Sequence, residues 1–242
     1  MPMSNVIILT SGLSGSSVLS NLISQAGYWV GDDTCKKKDY DTYENAKLVS
    51  LNQQLIELSG YRGSYTQGYD TVAIDRIKAL DIDTAPYQAF IKDCENHSPW
   101  IWKDPRLWVT FDFWAPLLKE ADIKVVFLDR GMLQRWISVN IRRQIQSYAY
   151  TKYYTSSINN KIKDVIQRND IDSCDINFDD LLLTPEKVLE TLSQFLNINL
   201  DIDDLSRVYN KRLYKKARGW GDLVLAILIF VKNYQHRIQK LS

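Results

Sequence analysis

The run Val6-Ile7-Ile8-Leu9 passes without a break into Thr10-Ser11-Gly12-Leu13-Ser14-Gly15-Ser16-Ser17, and this junction constrains the fold more than any other stretch of the chain. Four consecutive apolar residues, three of them β-branched, suit a strand buried on both faces, as in a parallel sheet. A helix is expected next, because Val18, Leu19, Leu22, Ile23 and Ala26 recur at helical spacing and Gly27 stands where a helix C-cap would be. A strand, a loop of small residues and a helix in that order aim several backbone N–H groups and a helix dipole at one point. The loop from Gly12 to Ser17 is therefore a candidate anion site, with phosphate as its natural guest. The same residues equally suit a tight turn that only packs helix on strand.

The motif of a short apolar run followed by charge recurs. Trp100-Ile101-Trp102 reads as a strand ending at Lys103-Asp104-Pro105-Arg106, where the proline keeps Asp104 out of helical geometry. Val125-Val126-Phe127-Leu128 reads as another, ending in Asp129-Arg130 and followed by a helical pattern through Leu133, Trp136, Ile137, Asn140 and Ile141. A further unit runs from Ile176 to Phe178, then Asp179-Asp180, with Thr184 as N-cap and Pro185 at the first turn of a helix carrying Val188, Leu189, Leu192, Phe195 and Leu196 on one face. Leu48, Leu51, Leu55 and Leu58, stopped by Gly60, predict one more helix, and Tyr61 to Asp70 reads as a loop. Strands alternating with helices imply an α/β fold, a parallel β-sheet flanked by helices. Seven of the ten glycines fall within the first 68 residues, so loops needing unusual backbone geometry concentrate there. No repeat or low-complexity linker divides the 242 residues, which predicts a single domain over 1–242.

Composition narrows the function. Thirty Lys and Arg against 29 Asp and Glu leave a net charge of +1, so a dedicated nucleic-acid binder is disfavoured and any anion site must be local. Two histidines and three dispersed cysteines, Cys35, Cys94 and Cys174, build neither a metal centre nor a disulfide framework. The Val6–Leu9 run is too short for a signal peptide, which predicts a cytoplasmic protein with reduced thiols. The longest apolar run, Leu223 to Val231, is about half of a membrane span. It is read as a core, dimer or membrane-surface helix; Lys215, Lys216 and Arg218 before it, with Lys232, Arg237 and Lys240 after it, would suit anionic lipid.

Taken together the pieces resemble the sulfotransferases. In that family a strand runs into a loop of the type Pro-Arg-Ser-Gly-Thr-Ser, matched here by Ser14-Gly15-Ser16-Ser17, and an arginine just after a strand is followed eight residues later by a serine, matched by Arg130 and Ser138. Further stretches are similar to bacterial members: Ala26 to Asp33, Tyr43-Glu44-Asn45 running to Leu51-Asn52, Lys103-Asp104-Pro105-Arg106-Leu107, and Phe178-Asp179-Asp180-Leu181-Leu182 leading to Phe195-Leu196. The likeness covers roughly residues 6 to 198. It implies a P-loop-type sulfotransferase architecture and a donor, 3′-phosphoadenosine 5′-phosphosulfate, whose phosphosulfate end would sit on Gly12, Leu13, Ser14, Gly15, Ser16 and Ser17 and whose 3′-phosphate would be gripped by Arg130 and Ser138. It implies, too, an acceptor hydroxyl on a glycan, lipid or small metabolite, and no metal. Arg218-Gly219-Trp220-Gly221-Asp222 is similar to a segment that completes the 3′-phosphate site in cytosolic relatives.

The chain departs from the family pattern at Leu13, where the loop usually carries Arg or Lys. A charge-assisted contact to phosphate contributes about 1.5–3 kcal/mol, so its loss would weaken binding without abolishing it. Lys103, at a neighbouring strand end, is the expected substitute. Sulfuryl transfer needs a base for the acceptor proton. The resemblance puts Asp33 and Asp32 first, since they follow the first helix and Gly31 at about the distance where several family members carry a catalytic acidic residue; Glu44 comes next and then Asp104, each against the plainer reading of a solvated or capping carboxylate. His97 is read as a surface residue, and Tyr148, Tyr150, Tyr153 and Tyr154 either line an acceptor groove or form an exposed linker. Two rivals stand beside the sulfotransferase. One is a P-loop kinase-like enzyme, although no lysine follows the loop until Lys36 as a Walker motif requires; the other is a catalytically degenerate nucleotide-binding protein.

Overall fold

Two strands far apart in the sequence, Asn5–Leu9 and Ile123–Asp129, lie side by side at the centre of the main sheet. The computed structural model describes residues 3–38, 40–61, 71–208 and 219–238. The loop expected from Tyr61 to Asp70 lies outside the described residues beyond Tyr61, as do Lys215, Lys216, Arg218 and Lys240. In chain order the elements are β1 (Asn5–Leu9), α1 (Ser16–Gln25), β2 (Thr34–Lys37), β3 (Tyr40–Asn45), α2 (Ala46–Leu58), α3 (Thr71–Lys78), α4 (Ala85–Glu95) and β4 (Ile101–Lys103). They continue with α5 (Leu107–Trp114), β5 (Ile123–Asp129), α6 (Met132–Ile141), α7 (Tyr148–Arg168), β6 (Ser173–Asn177), α8 (Phe178–Leu183), α9 (Pro185–Leu196), α10 (Ile202–Val208) and α11 (Trp220–Lys232).

The main sheet is parallel with strand order β4-β1-β5-β6; Val6 pairs with Ile101, Ile7 with Val125, and Val126 with Cys174. Every residue of β1 is buried, which explains the unbroken apolar run from Val6 to Leu9. Side-chain alternation splits the core into two layers. Ile7, Leu9, Trp102, Val125 and Phe127 pack with α2, α4, α5 and α7, whereas Val6, Ile8, Ile101, Val126, Leu128 and Ile176 pack with α1, α8, α9 and α10. Trp102 stacks on Trp100 at 4.6 Å and meets Trp114 edge-on at 5.0 Å, so aromatic bulk fills the space above the short strand β4. The α/β sheet with helices on both sides is the architecture expected from the alternating runs.

Three details differ from the sequence reading. Phe178 opens α8 instead of ending β6, because Asn177 accepts from the Asp179 N–H at 2.8 Å and starts a helix there. Thr184 makes no side-chain cap for α9; its hydroxyl donates to the Asp180 carbonyl at 3.2 Å, one turn back. Tyr43 and Glu44, read as an approach to α2, belong to an antiparallel hairpin of β2 and β3 that stands apart from the main sheet.

Candidate active site

After β1 the chain goes on to β4 on one side of the sheet, and after β5 it goes on to β6 on the other, so the connections diverge at the carboxyl ends of the neighbouring strands β1 and β5, where α/β sheets keep a crevice. A cleft of about 510 Å³ opens there, within the range of small-molecule sites. Its wall contains all six loop residues from Gly12 to Ser17, together with Glu44, Lys103, Arg106, Arg130 and Arg135.

The loop is wound by three positive φ angles, +82° at Gly12, +54° at Leu13 and +82° at Gly15. Only glycine serves at Gly15, since a Cβ there would run into the Phe178 ring. Gly15 is the N-cap of α1 and supplies no side-chain acceptor, and no acidic residue occupies the first turn. The leading N–H groups of α1 and its dipole are thus turned toward the cleft without a competing carboxylate. Thr10 and Ser14 hydroxyls meet at 2.5 Å and tie the loop's base to β1.

Lys103 reaches the loop from the end of β4. Its ammonium is 2% exposed and donates to Glu44 Oε1 at 2.6 Å, to the Thr42 carbonyl at 2.9 Å and to Ser17 Oγ at 3.3 Å. Burial pulls its pKa below the usual lysine value, opposed by the Glu44 carboxylate. Glu44 arrives by the period of two along β3, which sets Tyr40, Thr42 and Glu44 together on the cleft. Asp104, the next residue after Lys103, has a different part: it accepts from the Arg106 guanidinium at 2.8 Å and from Asn52 Nδ2 at 2.9 Å. Asn52 in turn accepts from Thr110 and from the Trp114 indole, each at 2.8 Å. Burial raises the Asp104 pKa against the pull of Arg106 and Asn52, and the residue clamps α2 and α5 to the end of β4.

On the β5 side, Arg130 forms an ion pair with Asp179 at 3.4 Å and lies over the Phe178 ring at 5.4 Å. Asp179 is fixed in its turn by the Gly131 N–H at 2.8 Å. Arg135, one turn into α6, was missed in the sequence. It is 3% exposed, donates to the Gly12 carbonyl and pairs with Asp129 at 3.0 Å. Burial lowers its pKa and Asp129 opposes the shift. The guanidinium thereby joins the loop after β1 to the end of β5.

The expected site is rearranged in two places. Asp32 and Asp33 do not line the cleft: they precede β2 at the end of the hairpin away from Lys37 and Tyr40, both are exposed, and Asp32 accepts from the Trp29 indole at 3.3 Å. Ser138 is buried within α6 and is absent from the cleft wall, whereas Arg130 and Arg135 of the same strand–helix unit are on it. His97 is exposed and stacks on Trp29 at 4.4 Å. Of the tyrosines on α7, Tyr154 lines the cleft, Tyr150 is buried, and Tyr148 and Tyr153 face solvent.

No family model matches the sequence, and no curated protein matches it. Solved structures do. The sulfotransferase domain from the Synechococcus PCC 7002 olefin synthase matches over 98% of this chain and 96% of its own, with a TM-score of 0.53 at 18% identity. The chain has the sulfotransferase fold. The sulfotransferase domain from the curacin biosynthetic pathway matches over 92% of this chain and 82% of its own, with a TM-score of 0.50 at 21% identity. At these identities the sulfotransferase likeness concerns the fold, and the cleft's chemistry is argued from its own residues.

Proposed function

We propose that this chain is a sulfotransferase that moves a sulfuryl group from 3′-phosphoadenosine 5′-phosphosulfate to an acceptor hydroxyl of a glycan, lipid or small metabolite. The observation that carries the reading is the meeting of the uncapped α1 N-terminus, the Lys103 ammonium and the Arg130 guanidinium in one cleft. An anionic nucleotide fits that donor set, since the small residues from Gly12 to Ser17 line the cleft at the start of a helix.

In this reading the N–H groups from Leu13 to Ser17 receive the 5′-phosphosulfate end, and Arg130 receives the 3′-phosphate. Transfer makes a bond from the acceptor oxygen to sulfur and breaks the bond from sulfur to the phosphate oxygen, which leaves with the electron pair. Lys103 supplies the positive charge beside that leaving oxygen that Leu13 does not. Glu44, 2.6 Å from Lys103, is the carboxylate that takes the acceptor proton, a role that passes to it because Asp32 and Asp33 stand outside the cleft. Arg135 holds the loop from behind.

A second reading rests on Leu13: a loop without its own cation binds the nucleotide and does not turn it over. Incubation with sulfur-labelled donor and a panel of glycan, lipid and phenolic or alcoholic acceptors separates the two. Label appearing on at least one hydroxyl class supports transfer. Nucleotide binding with no labelled product in any class supports the binding-only reading and overturns the enzymatic one.

A further inference from the structure

Helix α11 is buried only at Ala226, which with Leu223 and Phe230 meets Trp136 and Ile137 of α6. A surface helix normally turns polar residues outward. This one carries Trp220, Val224, Ile227, Leu228 and Val231 on its outer face, at spacings that place all five on one stripe, and they are 44–84% exposed. Charge is segregated along the stretch of sequence that contains it. From residue 209 to 242 the sequence has eight Lys and Arg and a single acid, Asp222, whereas the whole chain has a net charge of only +1. Lys232 ends the helix, and Arg237 beyond it lies over the Tyr234 ring at 3.7 Å.

We propose that α11 is a docking helix that lies flat on an anionic lipid surface. An apolar stripe flanked by basic residues matches acyl chains beneath negatively charged headgroups. Trp220 at one end and Tyr234 at the other, 84% and 51% exposed, are the side chains that favour the boundary between hydrocarbon and water. The thirteen residues of α11 span about 20 Å, less than the hydrocarbon thickness, so the helix rests on the surface and does not cross it. A second copy is the poorer occupant, because pairing through the stripe would bring like-charged flanks together. The opposite side of α6 carries Arg135 into the cleft, so docking sets the site one helix away from the lipid.

The test is co-sedimentation with vesicles of phosphatidylcholine alone and of phosphatidylcholine mixed with phosphatidylserine, using the full chain, Val224→Glu/Leu228→Glu, and Lys232→Glu/Arg237→Glu. All four positions lie on α11 or past its end, outside the cleft wall, so adenosine 3′,5′-bisphosphate binding and the melting temperature serve as controls of folding. The expected result is binding to the anionic vesicles only, reduced at least tenfold by the apolar-face pair and about fivefold for each basic residue lost. Equal binding to both vesicles, no binding, or a dimer in sedimentation equilibrium that Val224→Glu/Leu228→Glu dissociates would each overturn the proposal, the last in favour of a second copy.

Discussion

Lys103 Nζ lies 2.6 Å from Glu44 Oε1, a contact between the last residue of a main-sheet strand and a strand of the separate hairpin. With its further bonds to Thr42 and Ser17, the ammonium at the end of β4 is held beside the β1–α1 loop by two other elements, β3 and α1. Lys103→Ala is expected to lower the transfer rate by about 100-fold or more, the usual cost of losing a group that stabilises developing charge. Leu13→Arg in that background should restore part of the rate, and the two changes should be non-additive because both place a cation on one oxygen. Full activity in Lys103→Ala, measured over all four members of the cycle, contradicts the assignment.

Burial lowers the Lys103 pKa, which sets the sign of two pH effects. Transfer needs the protonated ammonium, so activity is expected to fall on the alkaline side at a pH below the ordinary lysine value, and Lys103→Arg should remove that limb. Stability runs the other way. Between the lowered folded value and the unfolded one the unfolded chain binds more protons, so the Lys103 contribution to stability increases with pH. Comparing pH–rate and pH–melting profiles of the wild type with those of Lys103→Arg and Lys103→Gln checks both signs.

The two arginines of the β5–α6 unit should separate by ligand. Arg130→Ala is expected to weaken adenosine 3′,5′-bisphosphate by about 2 kcal/mol and to spare adenosine 5′-phosphate, because it removes the fork facing the 3′-phosphate alone. Arg135→Ala should weaken both nucleotides equally and lower folding stability by about 2 kcal/mol, since it takes a charged donor from the Gly12 carbonyl and from the partly exposed Asp129. Calorimetric titration and urea denaturation of each variant provide the comparison; equal weakening of both ligands by Arg130→Ala would remove it from the 3′-phosphate.

Gly15→Ala should combine a backbone penalty at φ +82° with a steric one against Phe178. We expect nucleotide binding to fall by at least tenfold while the sheet stays folded. Gly15→Ala/Phe178→Ala should recover some of that loss, because only the steric part is relieved. No recovery would mean that the left-handed backbone alone sets the requirement.

The parallel sheet was legible because β1, β4 and β5 are buried on both faces and carry unbroken apolar runs. The hairpin was not: Thr34–Lys37 and Tyr40–Asn45 alternate polar with polar, since Tyr40, Thr42 and Glu44 face a cleft and not a core. The sequence therefore gives no sign that Glu44 stands on the cleft. The family pattern points to the two aspartates after α1, whereas pairing between β2 and β3 carries Glu44 to Lys103. Arg135 was hidden for a different reason. A lone arginine amid Leu133, Trp136 and Ile137 resembles the solvated side of an amphipathic helix, and only the close approach of α6 to Gly12 buries it. The available signal was its place in the first turn after a strand end that already carried Arg130.

Whether the cleft is a 3′,5′-bisphosphate site is decided most directly by titrating the purified chain, in a calorimeter and without added metal, with adenosine 3′,5′-bisphosphate, adenosine 5′-phosphate and ATP, and repeating the ATP titration with magnesium. The arrangement of the α1 N-terminus, Lys103 and Arg130 predicts that the bisphosphate binds at least tenfold more tightly than either of the others, in all conditions. Tighter binding of ATP with magnesium, or equal binding of bisphosphate and monophosphate, would contradict it.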